Sequence, residues 1–193
     1  MAPVSGLAFT FDDGPDPEWT PRLLDLLDAV DAKATFFPIA SRAAAQPEVL
    51  ARVRSAGHTV GLHCHEHVRH GARDRAWLEA DTGEALRLLS ALEIRPSLWR
   101  TPWGDTTEFS AQVASENGLR IIGWTLDTHD WRGDSAETML DDTEAGIRAG
   151  AIVLAHDGIG PGAKRSDMAE TLRYVERAAT VARRRGLALE ALS

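Results

Sequence analysis

Residues 7–15 read LAFTFDDGP, an apolar run that ends in two adjacent carboxylates and then in a glycine and a proline. Such a run is typical of a buried β-strand, and Gly14 and Pro15 end it. Side chains alternate between the two faces of a strand, so in regular geometry Asp12 and Asp13 would point to opposite sides. The break at Gly14-Pro15 ends this alternation, and we therefore expect both carboxylates to turn toward one side of the sheet.

The same succession of a short apolar strand and a helix-period segment recurs along the chain. Helical periodicity appears at residues 21–30, 47–57 and 77–92, and again at about 167–185. Strands that alternate with helices predict an α/β fold with a parallel sheet, here a barrel or a nearly closed one. An open doubly wound sheet is the alternative, but no glycine-rich phosphate loop follows the first strand. The seven predicted strands are residues 7–12, 34–39, 58–63, 97–100, 120–127, 151–156 and 187–192.

Composition and charge exclude several classes of protein. The chain has 193 residues, of which 44% are hydrophobic, and its formal net charge is −8; we expect one globular domain over residues 1–193. The acidic balance argues against a nucleic-acid partner, and no apolar stretch approaches the roughly 18 residues of a membrane span. The chain start resembles no secretory signal, which predicts a cytoplasmic protein, or a secreted one if a leader has been removed. The sequence indicates no oligomeric state.

Chemically distinctive residues follow the ends of the predicted strands. Parallel α/β barrels build their active sites at the carboxyl ends of their strands, so these side chains are expected to share one site. Two histidines at positions i and i+4, joined by a carboxylate from another strand, form a set that leaves a position open for water, as catalytic zinc sites do. The residues at these ends are Asp12 and Asp13, His63 with His67, Arg100, Asp127 with Asp130, and His156 with Asp157.

Each feature also has an ordinary structural explanation. DDGP could be only a turn, and the paired histidines could be ordinary loop residues. Arg100 could form a surface salt bridge, Asp130 could cap a helix, and His156 could be a core histidine with satisfied hydrogen bonds. All of these explanations would have to hold together on one face of the barrel, which favours an active site. No supporting spacing assigns a role to His58, His65, His70 or His129.

Five blocks of sequence, TFDDGP, HCHEH, RTPWG, DTHDW and IVLAHD, resemble in order and spacing the five motifs of the NodB-type polysaccharide deacetylases, carbohydrate esterase family four. The resemblance extends from residue 7 to about residue 190. It implies a distorted (β/α) barrel with the active site at the C-terminal ends of the strands. It also implies a divalent metal ion, usually zinc with cobalt or nickel as alternatives, and an acetylated sugar as the substrate.

The resemblance further implies a role for each matching residue. By resemblance, the metal ligands are Asp13, His63 and His67. The general base is Asp12, oriented by Arg100, and the general acid is His156, with Asp130 as its carboxylate partner. The backbone N–H of Trp103 would face the oxyanion, and Trp131 and Leu154 would form the walls of the acetyl pocket.

One position departs from the family's pattern. The family has serine or threonine directly after the first histidine of the histidine motif, where this chain has Cys64. A thiol is a weaker hydrogen-bonding group than a hydroxyl, so the loop between the two histidines is expected to be held differently. A small replacement is favoured over a fourth, soft metal ligand, because a fourth ligand would occupy the position that catalysis needs open.

These observations predict a metal-dependent deacetylase that removes N-acetyl groups from glycans or oligosaccharides containing N-acetylglucosamine. The alternatives within this class are an O-acetyl (xylan-type) esterase and a cytoplasmic deacetylase of an acetylated small molecule. Outside it, a non-catalytic glycan-binding domain is disfavoured, because binding alone would not need Asp12, Arg100 and His156. A phosphotriesterase-like barrel is disfavoured because the first strand ends in DDG and not in a histidine pair.

Overall fold

The computed structural model describes residues 5–193. Residues 1–4, where the expected domain begins and where the predicted absence of a secretory signal was read in part, are outside the described residues. The strands are β1 (Leu7–Asp12), β2 (Ala34–Phe37), β3 (Thr59–Val60), β4 (Leu98–Trp99), β5 (Arg120–Ile121), β6 (Leu126–Asp127) and β7 (Ala151–His156). The α-helices are α1 (Trp19–Ala29), α2 (Ala40–Ala45), α3 (Pro47–Ser55), α4 (Arg75–Ala91), α5 (Ser110–Glu116), α6 (Ala136–Thr143) and α7 (Ala169–Arg184).

The strands form an incomplete parallel barrel. Five of them pair in the order β3-β2-β1-β7-β6, and β4 pairs with β5 in a second, two-stranded sheet. A parallel bridge between Leu62 and Trp99 joins the two sheets, which places β4 next to the chain that follows β3. Among residues 5–193 no pairing joins β5 to β6, so the barrel is open between these two strands.

The central strands are apolar because both of their faces are covered. Every residue of β1 is buried, and β1 lies between β2 and β7, with Asp12 paired to Phe37 on one side and to His156 on the other. Strands buried on both faces read as continuous apolar runs, as this one does up to its final carboxylate. The helices pack apolar faces against the sheet, and α7 contributes Tyr174 and Val175, both fully buried. No helix within residues 5–193 combines the length and the apolar character that crossing a bilayer requires.

The predicted α/β fold class is confirmed, but two of the predicted strands were wrong. Residues 120–127 form two strands and not one, because the chain leaves β4 after Ile122 and joins β7 at Thr125. Ile122 donates its N–H to Trp99, whereas Thr125 donates to Ile152.

The predicted terminal strand at residues 187–192 is reduced to a single bridge between Leu7 and Leu189. β1 already has β2 and β7 as neighbours, so among residues 5–193 the terminal segment bridges β1 at its first residue alone, and Leu189 also accepts the backbone N–H of Lys33. The predicted strands at 58–63 and 97–100 are also shorter than expected, with two residues each.

Candidate active site

Both carboxylates of the DDGP turn face one cavity at the end of β1. Asp12 is the last residue of the strand, and Asp13 has a backbone φ of 74°. This left-handed conformation is uncommon outside glycine, and aspartate is among the residues that adopt it most readily. It interrupts the alternation of side chains, so Asp12 and Asp13 line the same cavity. The break therefore starts at Asp13 itself, one residue before the expected position.

Asp13 lies against the two histidines of the HCHEH block. Its Oδ1 is 3.4 Å from His63 Nε2 and 3.1 Å from His67 Nε2. The three atoms that could bind a metal ion lie within 4.8 Å of one another. We call residues 63–67 the ligand loop; it follows the bridge at Leu62 and carries both imidazoles to the end of β1.

The hydrogen bonds around this cluster fit a metal ion. His63 Nδ1 lies 2.6 Å from the backbone oxygen of Arg100. A carbonyl only accepts, so Nδ1 carries the proton and Nε2 of the neutral ring presents a lone pair to Asp13. Within the part of the chain that the structure describes, the buried Asp13 Oδ1 has no hydrogen-bond partner. Lone pairs that converge in a buried place suit a cation, and two imidazoles with one carboxylate are donors typical of zinc.

Charge also favours a cation here. Burial raises the pKa of the Asp13 carboxyl, but His63 and His67 outweigh burial and hold that pKa well below its ordinary value. Burial lowers the pKa of His63, and the neighbouring Asp13 and Asp12 raise it above its ordinary value. The cluster therefore holds an ionised carboxylate in surroundings that favour positive charge, which makes it a possible metal site.

The ligand loop is held by a carboxylate from α4. Asp81 accepts the backbone N–H of His65 at 3.1 Å and that of Glu66 at 2.7 Å. Cys64 is buried, and burial first, then the charge of Asp81, raises the pKa of its thiol well above the ordinary value. Its side chain is not part of the Asp13 cluster. The loop is thus supported by Asp81, which the sequence did not reveal because it lies inside a helix.

Arg100 is completely buried and pairs with Asp12. Its Nη1 donates to Asp12 Oδ1 at 3.0 Å and to Thr10 Oγ1 at 2.6 Å, and its Nη2 donates to the backbone oxygen of Gly123 at 3.0 Å. The alternative of a surface salt bridge is therefore wrong. The same residue accepts from His63 through its backbone oxygen, so Arg100 contacts both the candidate base and a candidate ligand.

His156 and Asp130 form a buried pair. His156 Nδ1 is 2.7 Å from Asp130 Oδ1. Burial lowers the pKa of His156, but the charge and hydrogen bond of Asp130, together with the charges of Asp13 and Asp12, outweigh burial and raise that pKa to about 9. Burial likewise raises the pKa of Asp130, and His156 with Arg165 bring it down to about 2. The imidazole is therefore protonated at neutral pH and its partner is ionised.

The Asp13 cluster, Asp12 and His156 border a single cavity of about 430 Å³. Trp131 and Leu154 line it, and Trp103 lies at its rim with 41% of its surface exposed. The rings of Trp103 and His67 meet edge to face with their centroids 4.2 Å apart, and the guanidinium carbon of Arg69 lies 4.6 Å from the centroid of the Trp103 ring. The predicted site residues that border the cavity are Asp12, Asp13, His63, His67, Trp103, Trp131, Leu154 and His156.

Two predicted site residues lie behind the cavity wall. Arg100 and Asp130 each make a direct hydrogen bond to a side chain that borders it, namely Asp12 and His156. The structure therefore brings all ten predicted residues into one place, and their catalytic roles remain predictions.

A family model described as polysaccharide deacetylase matches residues 2–122. The chain belongs to the polysaccharide deacetylase family. The matched range contains the DDGP turn, the ligand loop and the RTPWG block. The DTHDW and IVLAHD blocks lie beyond it and are covered by the likeness to solved structures described below.

Two relatives of this polysaccharide deacetylase domain carry named activities. It is 35% identical over 159 residues to a chitooligosaccharide deacetylase of Bradyrhizobium sp., over 81% of this chain and 73% of the relative. It is 32% identical over 155 residues to a peptidoglycan-N-acetylglucosamine deacetylase of Bacillus cereus, over 80% of this chain. The match spans only 56% of the length of the Bacillus cereus protein.

Solved structures extend the likeness to nearly the whole polysaccharide deacetylase domain. The Bc1960 peptidoglycan N-acetylglucosamine deacetylase matches with a TM-score of 0.89 and 27% identity, over 98% of this chain and 86% of that one. A carbohydrate esterase family 4 pseudoenzyme from Bacillus anthracis matches with a TM-score of 0.87 and 21% identity, over 97% of this chain and 64% of that one. The second likeness concerns the fold alone, so activity has to be argued from the site.

In this polysaccharide deacetylase domain the loop after β7, residues 157–165, packs directly against Asp13. A Cβ added at Gly160 would lie 1.9 Å from Asp13 Oδ2, so only glycine fits there. Arg42 donates to the backbone oxygens of Asp13 and Ile159, each at 2.9 Å. The glycines of this loop were a visible signal in the sequence, whereas nothing local marked Arg42.

Asp157 stabilises the DDGP turn through hydrogen bonds. It accepts the backbone N–H of Gly14 at 3.2 Å and the hydroxyl of Thr20 at 2.7 Å. Burial, followed by the nearby charges of Asp13 and Asp12, raises its pKa to about 7. Asp157 does not border the cavity, so its position at a strand end serves the turn and not the substrate.

Proposed function

We propose that this domain is a metal-dependent hydrolase that removes the N-acetyl group from N-acetylglucosamine units of glycans or oligosaccharides. One observation carries the proposal: His156, held protonated by Asp130, borders the same cavity as the Asp13 cluster and the arginine-paired Asp12. The names of the two relatives support the reaction and the class of substrate. Because the match spans little more than half of one relative, the substrate belongs to the proposal.

We propose zinc as the metal, held by Asp13, His63 and His67. Two imidazole nitrogens and a carboxylate oxygen suit catalytic zinc, and cobalt or nickel would accept the same donors. A bound divalent cation would lower the pKa of a water molecule toward neutrality and polarise the acetyl carbonyl.

Asp12 is proposed to take the proton from the attacking water. A carboxylate that is not a ligand remains free to act as general base, and Arg100 fixes its orientation through Oδ1. The hydrogen-bonded arginine also places a positive charge beside this carboxylate.

His156 is proposed to give its proton to the leaving amine. Asp130 engages Nδ1, which leaves the proton on Nε2 for the substrate. The backbone N–H of Trp103 is proposed to stabilise the oxyanion, and Trp131 with Leu154 to enclose the acetyl methyl group. An amine leaves only after protonation, so an imidazole held by a carboxylate across the site from the metal ligands suits N-deacetylation.

An acetate-release screen tests the proposal. Zinc-reconstituted protein is incubated with chitin oligomers, peptidoglycan fragments, free N-acetylhexosamines and acetylated xylan, with the Asp13→Ala variant as a control for contaminating activity. We expect acetate from at least one N-acetylated glycan and none in the control. Release from xylan alone would assign an O-acetyl esterase. Release from none, with retained glycan binding, would assign a non-catalytic binding domain and overturn the proposal.

A further inference from the structure

Arg165, in the loop after β7, is a buried arginine without an assigned role. Its side chain is only 6% exposed although the loop lies at the surface of the cavity. Burial of a guanidinium is expensive unless it is well paired, and within residues 5–193 its buried Nε has no partner. Its remaining hydrogen bonds must therefore compensate for this burial. They go to Asp130, to the hydroxyl of Thr171, which itself donates to Asp130, and to the backbone oxygens of His156 and Gly158.

The two carboxylate oxygens of Asp130 have different hydrogen-bond partners, and Arg165 contacts only one of these oxygens. Oδ1 faces His156 Nδ1 at 2.7 Å. Oδ2 accepts from Arg165 Nη1 at 2.7 Å, from Thr171 Oγ1 at 2.9 Å and from the backbone N–H of His156 at 3.1 Å. With Oδ2 held by three donors, the carboxylate cannot rotate about its axis, and Oδ1 stays directed at the imidazole.

The other nitrogen of the same guanidinium holds the backbone of the general acid. Arg165 Nη2 donates to the backbone oxygen of His156 at 3.3 Å and to that of Gly158 at 3.1 Å. One rigid planar group thus fixes both members of the pair, as a guanidinium can and an ammonium cannot.

We propose that Arg165 is a positioning residue for the general acid: it locks Asp130 and the His156 backbone into one geometry and limits how strongly Asp130 retains the proton on His156. The inference rests on the proposed function of His156. Its electrostatic part follows from charge alone, since a second cation bound to Asp130 disfavours the protonated imidazole. Asp130 therefore raises the proton affinity of the His156 ring, and Arg165 lowers it.

Three variants separate these effects. Arg165→Met removes the charge and the hydrogen bonds, Arg165→Lys keeps the charge but loses the planar fork, and Arg173→Met is the matched control. Arg173 is an exposed arginine on α7 that, within residues 5–193, pairs with Glu170 of the same helix and with no other carboxylate. The readouts are the pKa of His156 by NMR titration of the metal-free protein, and kcat and KM of acetate release by the zinc-loaded protein.

In Arg165→Met we expect the pKa of His156 to rise by roughly one pH unit and kcat to fall about tenfold or more, with KM little changed. Arg165→Lys should keep the pKa of the parent and lose kcat, and Arg173→Met should match the parent in all three measurements. The NMR titration needs no turnover, so an inactive parent would refute the proposed function and still leave the inference tested.

A folded Arg165→Met with the parent's His156 pKa and kcat would overturn the inference. A raised KM with unchanged kcat would overturn it as well, because it would assign Arg165 to substrate binding. If Arg165→Met does not fold, the positioning role is tested with Arg165→Lys and Thr171→Val. Thr171→Val removes one hydrogen-bond donor to Asp130 Oδ2 with little change of side-chain shape. Parent-like kcat in both would refute the positioning role.

Discussion

Replacing Asp130 by asparagine should move the alkaline limb of the pH–rate profile downward. The charge of Asp130 raises the pKa of His156 to about 9 from the ordinary 6.5, against burial, which lowers it. Asparagine keeps the size of the side chain and an oxygen that can accept from Nδ1, but it has no charge. The imidazole then loses the interaction that holds its proton, while its burial remains.

The magnitude follows from the two pKa values. A fall from about 9 to 6.5 or below is a shift of about 2.5 pH units or more, equivalent to roughly 3 kcal/mol. At pH 8 the protonated fraction of His156 would be roughly 0.9 in the parent and roughly 0.03 in the variant. We therefore expect a roughly 30-fold lower kcat at pH 8 and a much smaller difference near pH 5.5, where both imidazoles carry a proton.

The free energy of unfolding gives a second readout. His156 has a folded-state pKa above its unfolded value, so its contribution to stability is fully present below about pH 6.5 and is lost as pH rises through about 9. In the metal-free parent, stability to urea should therefore fall over this window. In Asp130→Asn this fall should be smaller, because the interaction with Asp130 is gone while the raised pKa of His63 still contributes to it.

The assay is acetate release from a glycan substrate between pH 5 and 10, with the zinc-loaded parent, Asp130→Asn and, as a control, Asp134→Asn, which changes a partly exposed carboxylate that pairs with Arg132. The control should keep the parent profile. An unchanged alkaline limb in Asp130→Asn, with intact fold and metal content, would refute the reasoning that Asp130 sets the proton affinity of His156.

Two further predictions concern the surroundings of Asp13. Gly160→Ala should reduce zinc affinity and turnover, because the new Cβ would lie 1.9 Å from Asp13 Oδ2; parent-like zinc titration would contradict this. The matched control Gly83→Ala, an exposed position in α4 with open space around it, should leave both unchanged and stabilise the fold by about 0.5–1 kcal/mol in thermal unfolding. Asp81→Ala should weaken zinc binding about 10–100-fold by freeing two amides of the ligand loop, and unchanged zinc affinity by calorimetry would assign Asp81 to stability alone.

The sequence predicted the site well because its information is local. Each strand end carries its own distinctive residues, and a parallel arrangement of the strands is enough to bring those ends together, whatever the details of the packing. Knowing that a strand ends at DDGP and that another ends at His156 was enough to expect one shared cavity. The resemblance to a family then supplied the separate roles of Asp12 and Asp13, which periodicity could not distinguish.

The parts that the sequence did not predict depend on distant contacts. Residues 120–127 read as one strand because their composition is uniform, and the change of partner from β4 to β7 occurs only in the folded sheet. Asp81 and Arg165 lie outside the strand ends, and they matter because tertiary packing carries them to the ligand loop and to Asp130. The sequence indicated a turn at DDGP but not the positive φ of Asp13 within it.

The central claim is that two neighbouring aspartates have different tasks, and it is tested most directly by zinc content and turnover measured on the same preparations of two variants. Asp13→Ala should lose both zinc and activity, because it removes the buried oxygen that faces both imidazoles. Asp12→Asn should keep stoichiometric zinc and lose about 10²–10⁴-fold in turnover, because the amide preserves the shape but cannot take a proton. Equal loss of zinc in both variants would make both carboxylates ligands, and parent-like turnover per folded molecule in both would reduce DDGP to a turn; either result would contradict the account.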